Sequence, residues 1–188
     1  MNTTSNKFPL VMKTTALLTA IITVALNVLY HIYAQKWMLP AAISFGTTCY
    51  HFAMRLLAGW IVPPIVKPIG PNCRWFQLRC WEPAFYAALK VKNWKGHLPT
   101  YAPEQFDLKI NTLSQVIHNT CNAELVHEVI ILFSFLPLLF SLWFGKFPVF
   151  LITSLAAALF DSIFVIAQRY NRPRLMRILK KRRPDNLE

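Results

Sequence analysis

The chain has 188 residues, 55% of them apolar and only 15% charged, with a mean hydropathy of +0.36. Its 20 Lys and Arg outnumber 8 Asp and Glu, giving a formal charge of +12. A soluble domain this apolar would expose large patches, a nucleic-acid binder would carry such charge on a far less apolar surface, and disorder, collagen-like repeats and a secreted disulfide scaffold are excluded by composition. Apolar bulk with localised positive charge reads as an all-α polytopic membrane protein, a single integral membrane domain over residues 1–188.

A helix needs about 20 mostly apolar residues to cross the hydrocarbon, and four windows qualify. The first, about 14–34, follows Lys7 and Lys13; it is longer than a signal-peptide core and lacks a cleavage site, so it reads as a retained helix. The second, about 41–66, contains His51 and Arg55 and closes at Pro63-Pro64. A cytoplasmic amphipathic, interfacial helical segment over 67–122 follows. The third and fourth spans, about 123–144 and 147–167, lead into a basic tail over 168–188.

The short loops carry Lys36 and Lys146 alone, whereas the N-terminus, the middle segment and the tail together carry seventeen Lys and Arg. By the positive-inside rule this predicts a multi-pass cell-membrane protein with both termini and the middle segment cytoplasmic. Cys73, Cys80 and Cys121 then fall on the reducing side and Cys49 within a span. Their spacing matches no zinc pattern, so neither disulfides nor structural zinc are expected. Within the middle segment, Trp75, Phe76, Trp81, Phe85, Tyr86 and Trp94 alternate with Arg and Lys, the pattern of an anchor that contacts membrane lipids. Residues 106–120 read as a polar helix entering the third span, with Pro103 near its start.

Ionisable groups within or beside a span are functional candidates by default. Glu124 and His127, three apart, share one helix face, with Glu128 adjacent. Three readings stay open: a polar pair that locks helix packing, an imidazole base fixed by a carboxylate, or metal ligands of the Glu-x-x-His type. A di-metal site needs a second such pair and none is found, so no metal is expected. His51 and Arg55, four apart, share a face: Arg55 either pairs with an acidic group such as Asp161 or snorkels to a headgroup, or both residues line a polar pocket shared with Glu124. Beyond the fourth span, topology and anionic lipid explain Lys180 to Arg183. They do not explain Gln168 to Arg174, where Arg169, Asn171 and Arg172 offer planar, directed donors suited to phosphate or carbonyl oxygens. The predicted topology puts these donors at the same membrane face as Glu124 and His127, the convergence a group-transfer site requires.

Ala-Glu-Leu-x-His at 123–127, followed by Gln-Arg-Tyr-Asn-Arg-Pro-Arg-Leu at 168–175, resembles the glycosyl-4,4'-diaponeurosporenoate acyltransferase family. An Arg-x-Trp element matched by Arg79 and Trp81 precedes these motifs, and the resemblance covers roughly 72–184. The chain departs from the family pattern at Glu128, where members tend to have Trp, and its first two spans have no counterpart. The resemblance implies a membrane enzyme of staphyloxanthin-type carotenoid synthesis that esterifies a sugar hydroxyl with a fatty acyl chain. The acceptor would be a glycosylated carotenoid or a similar glycolipid, the co-substrate a cytoplasmic acyl-CoA or acyl-carrier thioester, with no resident cofactor. His127, oriented by Glu124, would take the acceptor proton. Arg169, Asn171 and Arg172 would bind donor phosphates or the developing oxyanion. Arg79 and Trp81 would guide the lipid acceptor, with His51 and Arg55 as further binding candidates.

No histidine has Asp five residues on, so the signature of soluble-domain glycerolipid acyltransferases is absent. Two alternatives stand beside acyl transfer: a phosphatase or methyltransferase acting on isoprenoid-type lipids, and a non-enzymatic membrane assembly factor. So thin a scaffold also leaves room for an oligomer or a partner enzyme.

Overall fold

The computed structural model describes residues 7–67 and 69–182. Among the described residues seven α-helices follow one another: α1 (Phe8–Tyr33), α2 (Met38–Val66), α3 (Glu82–Ala88), α4 (Val91–Trp94), α5 (Leu113–Phe133), α6 (Ser141–Phe144) and α7 (Phe147–Arg182). No strand occurs among the described residues, so the all-α expectation holds. Among the described residues four stretches are long and apolar enough to cross a membrane: Phe8–Tyr33, Met38–Val66, Leu113–Phe144 and Phe147–Arg182. The described chain forms two compact units, one made of the residues up to Trp60 with Val129–Asp161, the other of Ile61–Glu128 with the residues from Ser162.

In the first unit, Pro9 sits in the first turn of α1, where its missing N–H would have had no helical partner. The helix ends at Ala34, whose left-handed φ of 50° lets its N–H reach the Tyr30 carbonyl at 2.8 Å. Most of the apolar surface of α1 stays exposed, which suits a hydrocarbon solvent. Small groups let α1 and α2 approach closely. A Cβ on Gly46 would lie 3.3 Å from Thr23 Cγ2, and the Cys49 thiol meets the Ala16 carbonyl at 3.5 Å.

The third apolar stretch is broken where sequence reading expects a continuous span. Pro137 has no N–H to return to the Phe133 carbonyl, so α5 gives way to a 3₁₀ turn over Leu136–Phe140 before α6. The Tyr50 hydroxyl donates to that carbonyl at 2.9 Å, supplying the bond the proline cannot. Lys146 and Gly145, both at positive φ (52° and 64°), then reverse the chain into α7.

In the second unit, the entry to α5 starts at Leu113 rather than near 106, and its N-terminal signal is local. Thr112 Oγ1 accepts from the Gln115 N–H at 3.3 Å while Gln115 Oε1 accepts from the Thr112 N–H at 2.8 Å, a capping box that fixes the first turn. Residues 103–106 form only a 3₁₀ turn, and Asn111 Nδ2 donates back to the Glu104 carbonyl at 2.7 Å. Lys90, at φ 49°, turns α3 into α4. A small core of Tyr86, Val91 and Tyr170, flanked by Trp94 and Ile166, ties this segment to α7.

The expected tail is helical instead, because α7 runs unbroken to Arg182. At 1.5 Å per residue it is about 54 Å long, against about 30 Å of hydrocarbon. Leu, Met, Arg and Lys after Asn171 are good helix formers, and Pro173 costs the ladder one bond without ending it.

Candidate functional site

In the second unit, the paired motifs meet side chain to side chain. Glu124 on α5 is fully buried, and each of its carboxylate oxygens accepts from a different arginine of α7. Arg169 Nη1 reaches Oε1 at 2.6 Å, and Arg172 Nη2 bonds Oε2. Arg169 also grips Glu82, at 2.6 Å through Nη2 and 3.0 Å through Nε. Its remaining N–H groups go to the carbonyls of Trp75 at 3.1 Å and Gln77 at 3.2 Å. All five of its donors are thus occupied. Arg172, 1% exposed, donates to Thr120 Oγ1 and the Thr120 carbonyl, both at 3.1 Å, and lies 4.7 Å over the Phe76 ring.

Two guanidiniums against two carboxylates make the cluster electrically balanced. Burying four charges is tolerable only because each is paired and hydrogen-bonded. Glu82 completes the network by accepting from the Tyr86 hydroxyl at 3.0 Å. Burial and the Glu82 charge push the Tyr86 phenol well above its usual range. Arg169 and Arg172, expected to bind donor phosphate or oxyanion, direct these bonds into the fold, where they join the middle segment to α5 and α7.

His127 stands one turn along α5 from Glu124 and is half-buried. Its ring stacks on Phe164 of α7, 4.7 Å between centroids and 9° from parallel. The Glu124 carboxylate bonds both arginines, and the imidazole ring lies flat against Phe164. Glu128 accepts from Trp75 Nε1 at 2.9 Å. Asn171 Oδ1 accepts from Lys95 Nζ. Arg79 and Trp81 are exposed, with Trp81 edge-on to Phe85 at 5.7 Å.

Two members of the cluster lay outside the sequence reading, Glu82 and Thr120. Glu82 had a signal, being the one acidic residue between 67 and 103 and standing beside a proline in the first turn of α3. Thr120 had none.

His51 and Arg55 belong to the first unit. Arg55 Nε donates to Asp161 Oδ2 at 3.0 Å, with Nη2 on the same oxygen, and Nη1 reaches the His51 carbonyl at 3.1 Å. The sequence reading of Arg55 and Asp161 as an ion pair is realised here. The His51 ring is buried. Removing one member of a buried pair leaves a stranded charge, so Arg55→Leu is expected to lower stability by about 3–5 kcal/mol. Arg55→Leu with Asp161→Leu should recover much of that loss. Thermal unfolding of both in detergent checks it, and equal losses would show that the pair is not the source.

A family model described as glycosyl-4,4'-diaponeurosporenoate acyltransferase matches residues 72–181. That stretch holds Glu82, Glu124, His127, Arg169 and Arg172. No curated protein and no solved structure matches the chain.

Proposed function

The chain belongs to the glycosyl-4,4'-diaponeurosporenoate acyltransferase family, and from that membership we propose a membrane acyltransferase. It moves a fatty acyl group from a cytoplasmic acyl-CoA or acyl-carrier thioester to a hydroxyl of a glycosylated carotenoid or similar glycolipid. The acceptor oxygen forms an ester bond with the acyl carbon, the carbon–sulfur bond breaks, and the hydroxyl proton passes through His127 to the departing thiolate. An imidazole suits both steps because it accepts and returns a proton near neutral pH.

The observation that carries this reading is the pairing of the two family motifs around Glu124, with His127 one turn away and half-buried. A network that holds α5 against α7 fixes where that imidazole stands. Arg79, Trp81 and the exposed aromatics near them meet the acceptor lipid at the headgroup level. The membrane topology proposed has both termini and the 67–122 segment in the cytoplasm.

Thiol release tests the reading. Purified protein in liposomes, given acyl-CoA, should release free CoA faster when a glycolipid extract is supplied than without it. Release that never depends on an acceptor points to hydrolysis, and phosphate release without thiol to a phosphatase; either outcome overturns the proposal.

A further inference from the structure

The motif at 168–175 divides between two faces of α7. Arg169 and Arg172 turn to the acidic cluster, whereas Tyr170, Arg174 and Arg177, at helical spacing of four and three, form another face. That second face walls a cavity of about 440 Å³, whose other sides come from Pro83, Tyr86, Lys90, Val91 and Lys92. The volume lies in the range of small-molecule sites. Among the described residues four cations line it and no acidic residue does.

These cations are solvent-exposed, and contacts anchor Arg174 among them. The Arg174 guanidinium lies 3.4 Å over the Tyr170 ring and donates to the Tyr170 carbonyl at 2.8 Å. Tyr170 packs edge-on to Tyr86, 5.7 Å between centroids. Lys90 sits at the left-handed residue joining α3 to α4. Lys95 stands 4.9 Å from the same Tyr170 ring, and burial together with the Arg174 charge lowers its pKa. Among the described residues the charge on the cavity wall is therefore positive alone, as an anion site requires.

We propose that this cavity binds a phosphate-ester dianion through Lys90, Lys92, Arg174 and Arg177, and that it takes the phosphorylated end of the thioester donor. The phosphate chemistry stands by itself, while the identity of the donor rests on the acyltransferase reading. Planar guanidiniums match phosphate oxygens two at a time, and the lysines add point charge. The phosphate subsite thus passes from Arg169 and Arg172, which the fold occupies, to the neighbouring face of the same helix.

The test is binding without turnover, on the full chain in nanodiscs. In zwitterionic phosphatidylcholine, CoA and inorganic pyrophosphate are titrated against wild type, Arg174→Gln/Arg177→Gln, and Lys180→Gln/Lys181→Gln as the control outside the cavity. The expected result is that both probes bind wild type and the control alike, and about tenfold or more weakly to the Arg174/Arg177 variant. A second arm measures retention of phosphatidic acid during purification. Retention that needs Arg174 and Arg177, without CoA binding, keeps the phosphate site and assigns it to a lipid headgroup. Probes that bind no wild-type protein in either arm, or bind all variants equally, overturn the proposal. CoA binding without acyl transfer would sink the enzymatic reading alone. Transfer whose KM for donor is unmoved in the Arg174/Arg177 variant would sink the cavity alone.

Discussion

Glu124→Gln is expected to cost the protein its fold before it costs a chemical step. The substitution keeps the side chain's shape and removes its charge, leaving Arg172, 1% exposed, beside a neutral amide. Breaking a buried ion pair from one side costs about 3–5 kcal/mol, a large share of the roughly 5–15 kcal/mol that holds a typical domain folded. Yield of monodisperse protein and its unfolding midpoint in detergent measure the loss. Replacing both partners, Glu124→Leu with Arg172→Met, should recover part of it because neither charge is then stranded. A Glu124→Gln protein as stable as wild type yet inactive would instead place the carboxylate in the chemistry.

His127 should show the reverse balance. His127→Phe keeps an aromatic ring to stack on Phe164 while removing both nitrogens, so it separates the ring contact from the proton chemistry. Acyl transfer should drop by about 10²–10⁴-fold, the usual contribution of a general base. His127→Ala should lose the same rate and, in addition, the roughly 0.5–1.5 kcal/mol of the ring pair. Turnover that survives in a folded His127→Phe enzyme would remove the imidazole from the mechanism.

The four apolar helices were legible because hydropathy over a window of about 20 residues is a local signal that tertiary context seldom overrides. Their ends were less so. Pro137 stood in plain view, yet the apolar run around it outweighs a single breaker in any averaged window. The Thr112 and Gln115 capping box was equally present and marks the start of α5 seven residues later than the polar pattern implies. The length of α7 hid behind its own charge, since a basic run reads as a tail until packing shows it continuing a helix.

The candidate site was legible in its parts and not in its pairings. Spacing of three ties Glu124 to His127 on one helix, whereas the carboxylate bonds across to arginines 45 and 48 residues away. Nothing in the local sequence distinguishes a guanidinium aimed at a substrate from one aimed at a buried acid; only the count of occupied donors does. The same holds for Arg174 and Arg177, which the motif groups with Arg169 and Arg172 and the helix separates from them.

Product identity tests the central claim most directly. Reconstituted wild type and His127→Phe are given an acyl thioester bearing a deuterated chain, together with a glycosylated carotenoid, and the extracted lipids are weighed by mass spectrometry. Acyl transfer predicts an acceptor heavier by one labelled fatty acid less water in wild type, with His127→Phe reduced at least a hundredfold. An acceptor of unchanged mass, while thiol is released or the protein is folded and idle, would contradict it.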